Sequence, residues 1–194
     1  MWNPDFPDHA AMDYTHDEVR DWVFALVDEI LRRFDVDGIE FDYCRWMHVF
    51  PRKTARESHP LMTRLLRRMR KRLDAESKTR GRRLILGTRV PMTLTECRAL
   101  GYDIATWVKE GLVDYIAPSD FFFTNFNGKF EDFAALTRSS NCMLFPAMHP
   151  KTCWQDQDHF MSLENYRAAA RNLYAAGADG ISVFNYMYHW VGRT

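Results

Sequence analysis

The sequence predicts an α/β fold in which helices cover a parallel sheet. Two observations support this prediction. Amphipathic helical stripes alternate with short, β-favouring segments along the 194 residues. Each gap between successive predicted strands is also long enough for the crossover helix that a parallel pair of strands needs.

The first predicted unit is a helix followed by a strand. Apolar residues of the segment 17–34 recur every three or four positions, which is typical of a helix with one buried face. Thr15 and Glu18 have the spacing of a capping box at its start. The segment 36–44 that follows is short and rich in β-favouring residues, so we expect a strand there.

The same alternation continues to the end of the chain. Asp103 and Ser162 are expected to begin helices, and Gly111 and Gly177 to end them. The remaining predicted helices cover 61–73, 104–110, 130–136 and 162–174, and the remaining predicted strands cover 84–88, 113–117, 142–146 and 180–185.

Parallel strands with crossover helices build either an open sheet or a closed barrel. No glycine-rich phosphate loop follows the first strand, which leaves a dinucleotide-binding sheet unsupported. A full (β/α)8 barrel takes about 250 residues. We therefore expect residues 1–194 to form a single domain, a partial barrel of TIM type that covers about five C-terminal strands. Its free sheet edges would be covered by another copy of the chain, by rearrangement, or by protein that this chain lacks.

Composition excludes several classes of protein. Lys plus Arg equals Asp plus Glu at 26 each, which argues against a nucleic-acid partner. No apolar run approaches the ~20 residues of a membrane span, and the N-terminus lacks the features of a signal peptide, which predicts a cytoplasmic protein if the chain is complete. The four cysteines form no CxxC pair, and we expect free thiols and neither a metal nor a cofactor. A metal-dependent hydrolase using His48, His149 and His189 stays open as an alternative.

Carboxylates are the candidate catalytic groups. Side chains alternate along a strand, so Glu40 and Asp42 share one face while Ile39 and Phe41 share the other. Asp120 follows the strand 113–117. In barrels of this type the carboxyl ends of the strands carry the active site, and a pair of carboxylates can hydrolyse a glycosidic bond. Asp42 is the candidate nucleophile or base, and Asp120 is the candidate acid.

Other polar and aromatic side chains follow the predicted strands and could bind a sugar. Sugar rings stack on aromatic side chains and need hydrogen-bonding groups beside them. The candidate substrate-binding residues are Glu40, Arg45, Trp46, Arg89, His149, Trp154, Asn185 and Tyr186.

The segment Asp37-Gly38-Ile39-Glu40-Phe41-Asp42-Tyr43-Cys44 resembles the fourth strand of the α-galactosidase clan of glycoside hydrolases. In that clan the Asp of an Asp-Tyr-Cys run is the nucleophile, and an Asp at the end of the sixth strand is the acid. The resemblance gives these roles to Asp42 and Asp120. Glu40 stands where the clan has Lys. The strand is also similar to the chitinase signature, except that Cys44 replaces its catalytic Glu.

The resemblance covers most of the chain as a βα series running from the helix before the fourth strand to the eighth strand. It implies a hydrolase that cleaves O-glycosyl bonds, with retention of configuration, and an oligosaccharide or glycoside as substrate. The alternative is a carbohydrate-binding or structural half-barrel without catalysis. We expect no nucleic-acid or membrane partner, and association of copies through exposed sheet edges is a further expectation.

Overall fold

The computed structural model describes residue 5 and residues 11–44, 46–120, 123–126, 128–152 and 160–184. The helices are α1 (Asp17–Arg33), α2 (His59–Arg80), α3 (Leu94–Ala99), α4 (Ile104–Lys109), α5 (Phe130–Thr137) and α6 (Leu163–Ala175). The strands are β1 (Gly38–Asp42), β2 (Ile85–Pro91), β3 (Tyr115–Ser119), β4 (Met143–Leu144), β5 (Ala147–Met148) and β6 (Ser182–Val183). A short 3₁₀ turn, Arg56–Ser58, leads into α2.

All strand pairs are parallel. The order β1-β2-β3-β4 follows the chain, and β5 pairs with β6. Consecutive strands that lie side by side, each reached by a helical crossover, are the arrangement of a TIM-type barrel wall. The prediction of an α/β fold with a parallel sheet is confirmed.

The fourth predicted strand is interrupted rather than continuous. The Phe145 amide still donates to the Ile116 carbonyl, and the Ser182 amide donates to the Pro146 carbonyl. Pro146 has no N–H to give to the ladder, which fits the break between β4 and β5. The two short strands therefore occupy one strand position between β3 and β6, and the five predicted positions are present.

The caps predicted for α4 and α6 agree with the structure, and the cap predicted for α1 does not. Asp103 and Ser162 accept backbone N–H groups at the starts of α4 and α6, and Gly111 follows α4 with a positive φ of 64°. The expected Thr15 capping box is wrong: α1 begins after His16 without a side-chain cap. Both the amide and the hydroxyl of Thr15 instead donate to Asp13 Oδ1 at 2.8 Å.

The sequence analysis missed α3, although its cap has a recognisable signal. Thr93 Oγ1 accepts the Glu96 amide at 3.1 Å, and the hydroxyl donates back to Glu96 Oε2 at 2.8 Å. This helix is short because Gly101 soon follows it with φ 88°, a conformation that favours glycine.

The main core lies between the sheet and the helices. It combines the inward stripes of α1 and α2 with one face of β2 and β3, and Trp107 of α4 is fully buried in it. The core residues include Val23, Val27, Leu31, Met62, Leu66, Met69, Leu86, Val90 and Ile116. One face of the sheet therefore packs against the helices, and the side chains of the other face lie outside this core.

Exposed apolar side chains lie on α1 and just after it. Trp22 and Leu26 on α1 are 52% and 40% exposed, and Phe34 just after α1 is 60% exposed. Within the described residues, β1 pairs with β2 and with no other strand. None of the described helices is both long enough and apolar enough to cross a membrane.

Candidate active site

The residues of β1 alternate between the two faces of the sheet as predicted. Ile39 and Phe41 pack against the core beneath the helices. Glu40 and Asp42 are exposed on the opposite face. We call this opposite face the inner face.

The strand register determines which residues join them there. Glu40 is paired with Gly87 and then Tyr115, and Asp42 is paired with Arg89 and then Ala117. Side chains of directly paired residues in a parallel sheet point to the same face. The inner face therefore has two successive layers, each with one acid contributed by β1.

Arg89 is the buried centre of the second layer. Its side chain is 1% exposed, and Nη1 donates to Asp42 Oδ2 at 2.9 Å. The Cys44 amide donates to the other oxygen, Asp42 Oδ1, at 2.8 Å. Both oxygens of Asp42 thus accept hydrogen bonds, which fixes the orientation of the carboxyl group. The Asp42 side chain remains 33% exposed and is open to a ligand.

The same guanidinium reaches the end of β3. Arg89 Nη2 donates to Ser119 Oγ at 2.8 Å and to the Asp120 carbonyl at 3.2 Å. Ala117 is paired with Arg89 in the register, and its small side chain leaves space for the guanidinium to extend to Ser119. Arg89 therefore links the carboxyl ends of β1 and β3, which carry the two predicted catalytic residues.

The pKa of the Cys44 thiol responds to the charged groups around Asp42. Burial raises the pKa of its thiol to about 12, Arg89 lowers it, and the charges of Asp42, Asp120 and Glu40 raise it further. All three carboxylates thus act on one buried thiol. A thiol with this pKa stays protonated near neutral pH, which argues against Cys44 as a nucleophile.

His149 lies in the same cluster, directly after β5, and is 2% exposed. Its ring meets the ring of Phe184 edge-on with centroids 4.9 Å apart, and the Arg89 guanidinium lies 3.3 Å from the Phe184 ring centroid. Burial, aided by the charge of Arg89, lowers the pKa of His149 to about 4. Arg89 Nε and His149 Nε2 are both buried without a hydrogen-bond partner among the described residues.

Glu40 in the first layer has a partner from two strands away. The Tyr115 hydroxyl donates to Glu40 Oε2 at 2.6 Å. A Cβ built on Gly87 would lie 2.0 Å from Tyr115 Cζ, so the phenol ring passes over the strand between them only because residue 87 is glycine. Burial raises the pKa of Tyr115, and the hydrogen bond to Glu40 and its charge raise it further.

Of the five other predicted residues, the structure describes one. Trp46, four residues beyond β1, is 48% exposed. The other four, Arg45, Trp154, Asn185 and Tyr186, lie outside the described residues. His189 of the alternative metal site also lies outside them, and the described His, Cys, Asp and Glu residues form no group of three that could hold a metal ion.

Sequence reasoning missed three residues that complete the site. Ser119 and Phe184 hold the Arg89 side chain, and Tyr115 holds Glu40. Phe184 and Ser119 stand at strand ends, which was the signal used for the other candidates. Tyr115 begins its strand, and the only indication of its role in the sequence was a glycine at the matching position of the preceding strand.

No protein-family model and no curated protein match the chain. Among solved structures, it is similar to a crystal structure of bee venom hyaluronidase, with 16% sequence identity and a TM-score of 0.44. The match covers 80% of this chain and 66% of the hyaluronidase chain, so this chain spans just under two thirds of that structure. A similarity this distant assigns neither an activity nor site residues.

Proposed function

We propose that the chain is a carbohydrate-active hydrolase module that cleaves glycosidic bonds with a pair of carboxylates. The observation that carries the proposal is the bridge made by Arg89. One buried guanidinium holds the Asp42 carboxylate and the backbone of Asp120 at the carboxyl ends of two parallel strands. This is the end of the sheet at which barrel enzymes hold their substrates.

The two acids have different roles in this proposal. Asp42, fixed by Arg89 and the Cys44 amide, is the nucleophile or base because both of its oxygens face donors. Asp120, half-buried after β3, is the general acid that protonates the leaving-group oxygen. The resemblance of β1 to the α-galactosidase clan favours retention, in which the two carboxyl groups stand about 5–5.5 Å apart.

Polar groups lie beside Asp42, and an aromatic side chain follows four residues after β1; a sugar can use both kinds of group. Arg89 Nε and His149 Nε2 offer buried polar atoms near the site, and Trp46 offers an exposed aromatic face. An ordered water that reached the two buried nitrogens would remove the cost of leaving them unpaired.

The test is release of 4-nitrophenol from a panel of 4-nitrophenyl α- and β-glycosides by the purified chain. The proposal predicts turnover of at least one glycoside, and NMR of the first sugar released would show the anomer of the substrate if the enzyme is retaining. A protein that is folded by circular dichroism but turns over none of the panel would contradict the proposal.

The second candidate is a carbohydrate-binding or structural half-barrel that associates through its edges. Among the described residues β1 is paired on one side, and Trp22 and Leu26 on α1 are exposed. An unpaired sheet edge and exposed apolar groups both favour association with another chain. Sugar binding without turnover, together with a dimer in sedimentation, would favour this role over the hydrolase.

A further inference from the structure

Glu40, Tyr115 and Phe145 form a second group of polar and aromatic side chains on the inner face. We propose that this group is the floor of the sugar site, where a neutral sugar ring bound at Asp42 rests and donates a hydroxyl hydrogen. We call Glu40 and Tyr115 the floor pair. The inference rests on the proposed function, because it takes the ligand of the inner face to be a sugar.

The floor pair is built into the sheet and does not arise from a chance surface contact. Tyr115 of β3 spans Gly87 of β2 to reach Glu40 of β1, with 2.6 Å between the phenol oxygen and Glu40 Oε2. The Cβ of any larger residue at position 87 would overlap the phenol ring. Three neighbouring strands thus each supply one matched residue to this layer.

The pair keeps hydrogen-bond acceptors that a ligand can use. Glu40 is exposed, and the described residues give it no hydrogen bond other than the one from Tyr115. Its Oε1 and the lone pairs of the phenol oxygen can still accept hydrogen bonds. Because the phenol proton is engaged by Glu40, the pair favours a ligand that donates, such as a sugar hydroxyl.

Apolar surface lies beside these acceptors. The ring of Phe145 packs against the ring of Tyr115 with centroids 5.4 Å apart and 47° between the planes. Met143, paired with Tyr115 in the register, is 42% exposed. Aromatic and thioether surface next to a carboxylate matches a sugar ring, which has apolar C–H faces and polar edges.

The charge of the floor pair limits the class of sugar. Glu40 and Asp42 lie two residues apart on the same face of β1, and an anionic sugar would add a further negative charge beside them. The floor pair therefore selects neutral sugars over uronic acids. The chemistry that recognises the ligand is hydroxyl donation to Glu40 and stacking on Tyr115 and Phe145.

The experiment compares Tyr115→Phe with the matched control Tyr174→Phe, which removes a phenol from an α6 residue that is 54% exposed. KM and kcat are measured on each 4-nitrophenyl glycoside that the wild type hydrolyses. Loss of a hydrogen bond used by the bound sugar should raise KM about tenfold in Tyr115→Phe and leave kcat within about twofold. A KM equal to that of the control would overturn the inference while leaving the hydrolase intact.

Binding separates failure of the inference from failure of the hydrolase. Saturation-transfer NMR with neutral methyl glycosides and methyl glucuronides is run on the wild type and on Tyr115→Phe. Binding of neutral sugars that weakens in Tyr115→Phe supports the floor pair even if no glycoside is hydrolysed. Equal binding by the two proteins, binding of no sugar, or a preference for glucuronides would overturn it.

Discussion

Arg89 and Asp42 make an ion pair in which the cation is buried and the anion is partly open. The Arg89 side chain is 1% exposed and that of Asp42 is 33% exposed, with 2.9 Å between Nη1 and Oδ2. A buried guanidinium has little freedom to move, so it holds the carboxylate that it bonds. The pair therefore fixes one oxygen of Asp42 and leaves the carboxylate within reach of a ligand.

Replacing Arg89 should destabilise the fold. Arg89→Met removes the donor to Asp42, Ser119 and the Asp120 carbonyl, and we expect a loss of about 2–4 kcal/mol in the free energy of unfolding. Urea unfolding measures it. Arg67→Met, which breaks the exposed pair with Glu110, is the control and should change the midpoint little. Equal effects of the two substitutions would contradict the central role given to Arg89.

Gly87 should tolerate a methyl group only when Tyr115 is gone. Gly87→Ala places a Cβ 2.0 Å from Tyr115 Cζ, and we expect it to cost about 1–3 kcal/mol through overpacking. In a Tyr115→Ala background the same substitution should cost much less. Thermal unfolding of the four proteins of this cycle gives the coupling, and additive effects would mean that the ring does not cross Gly87.

His149 should make the protein less stable in acid. Its pKa is about 4 in the folded state against an ordinary value of 6.5. The unfolded chain therefore binds more protons in this interval, and stability is lost as the pH falls from about 6.5 towards 4. Between pH 7 and pH 4, the free energy of unfolding of His149→Gln should fall by about 3 kcal/mol less than that of the wild type. Parallel stability curves for the two proteins would argue against a buried neutral imidazole.

Asp120 should matter most when the leaving group is poor. Asp120→Asn removes the proposed acid, so alkyl glycosides should lose about 100-fold or more in kcat/KM, within the usual contribution of general acid catalysis. Activated 2,4-dinitrophenyl glycosides need little protonation and should lose far less. The slope of log kcat/KM against leaving-group pKa checks this, and an unchanged slope would remove Asp120 from the role.

Part of this site follows from the sequence by simple rules. Two-residue alternation places Glu40 and Asp42 together on the face away from Phe41, and the structure agrees. Strand ends of a parallel sheet meet at one edge, which is why Arg89 and His149 could be named as companions of Asp42. These two predictions need only the residues of one strand or the order of the strands, and both can be read from the sequence. Arg89 was expected just after its strand, and the structure places it inside β2.

The contacts between strands could not be predicted, because they depend on register. Nothing in the local sequence says that Asp42 lies opposite Arg89 or that Gly87 lies between Glu40 and Tyr115. The Asp13 bond that displaces the Thr15 cap likewise comes from competition between neighbouring groups. Arg89 bonds both Asp42 and Ser119 because the pairing of β1, β2 and β3 brings these residues together.

The most direct test of the account is the turnover of activated 2,4-dinitrophenyl glycosides by Asp42→Asn. These substrates need little help from a general acid, so their hydrolysis depends on the nucleophile. Asn keeps the size of Asp42 and can still accept from Arg89, which allows circular dichroism and urea unfolding to confirm that the fold is retained. The account predicts that kcat falls to the background rate in a folded protein. Undiminished turnover by folded Asp42→Asn would contradict it.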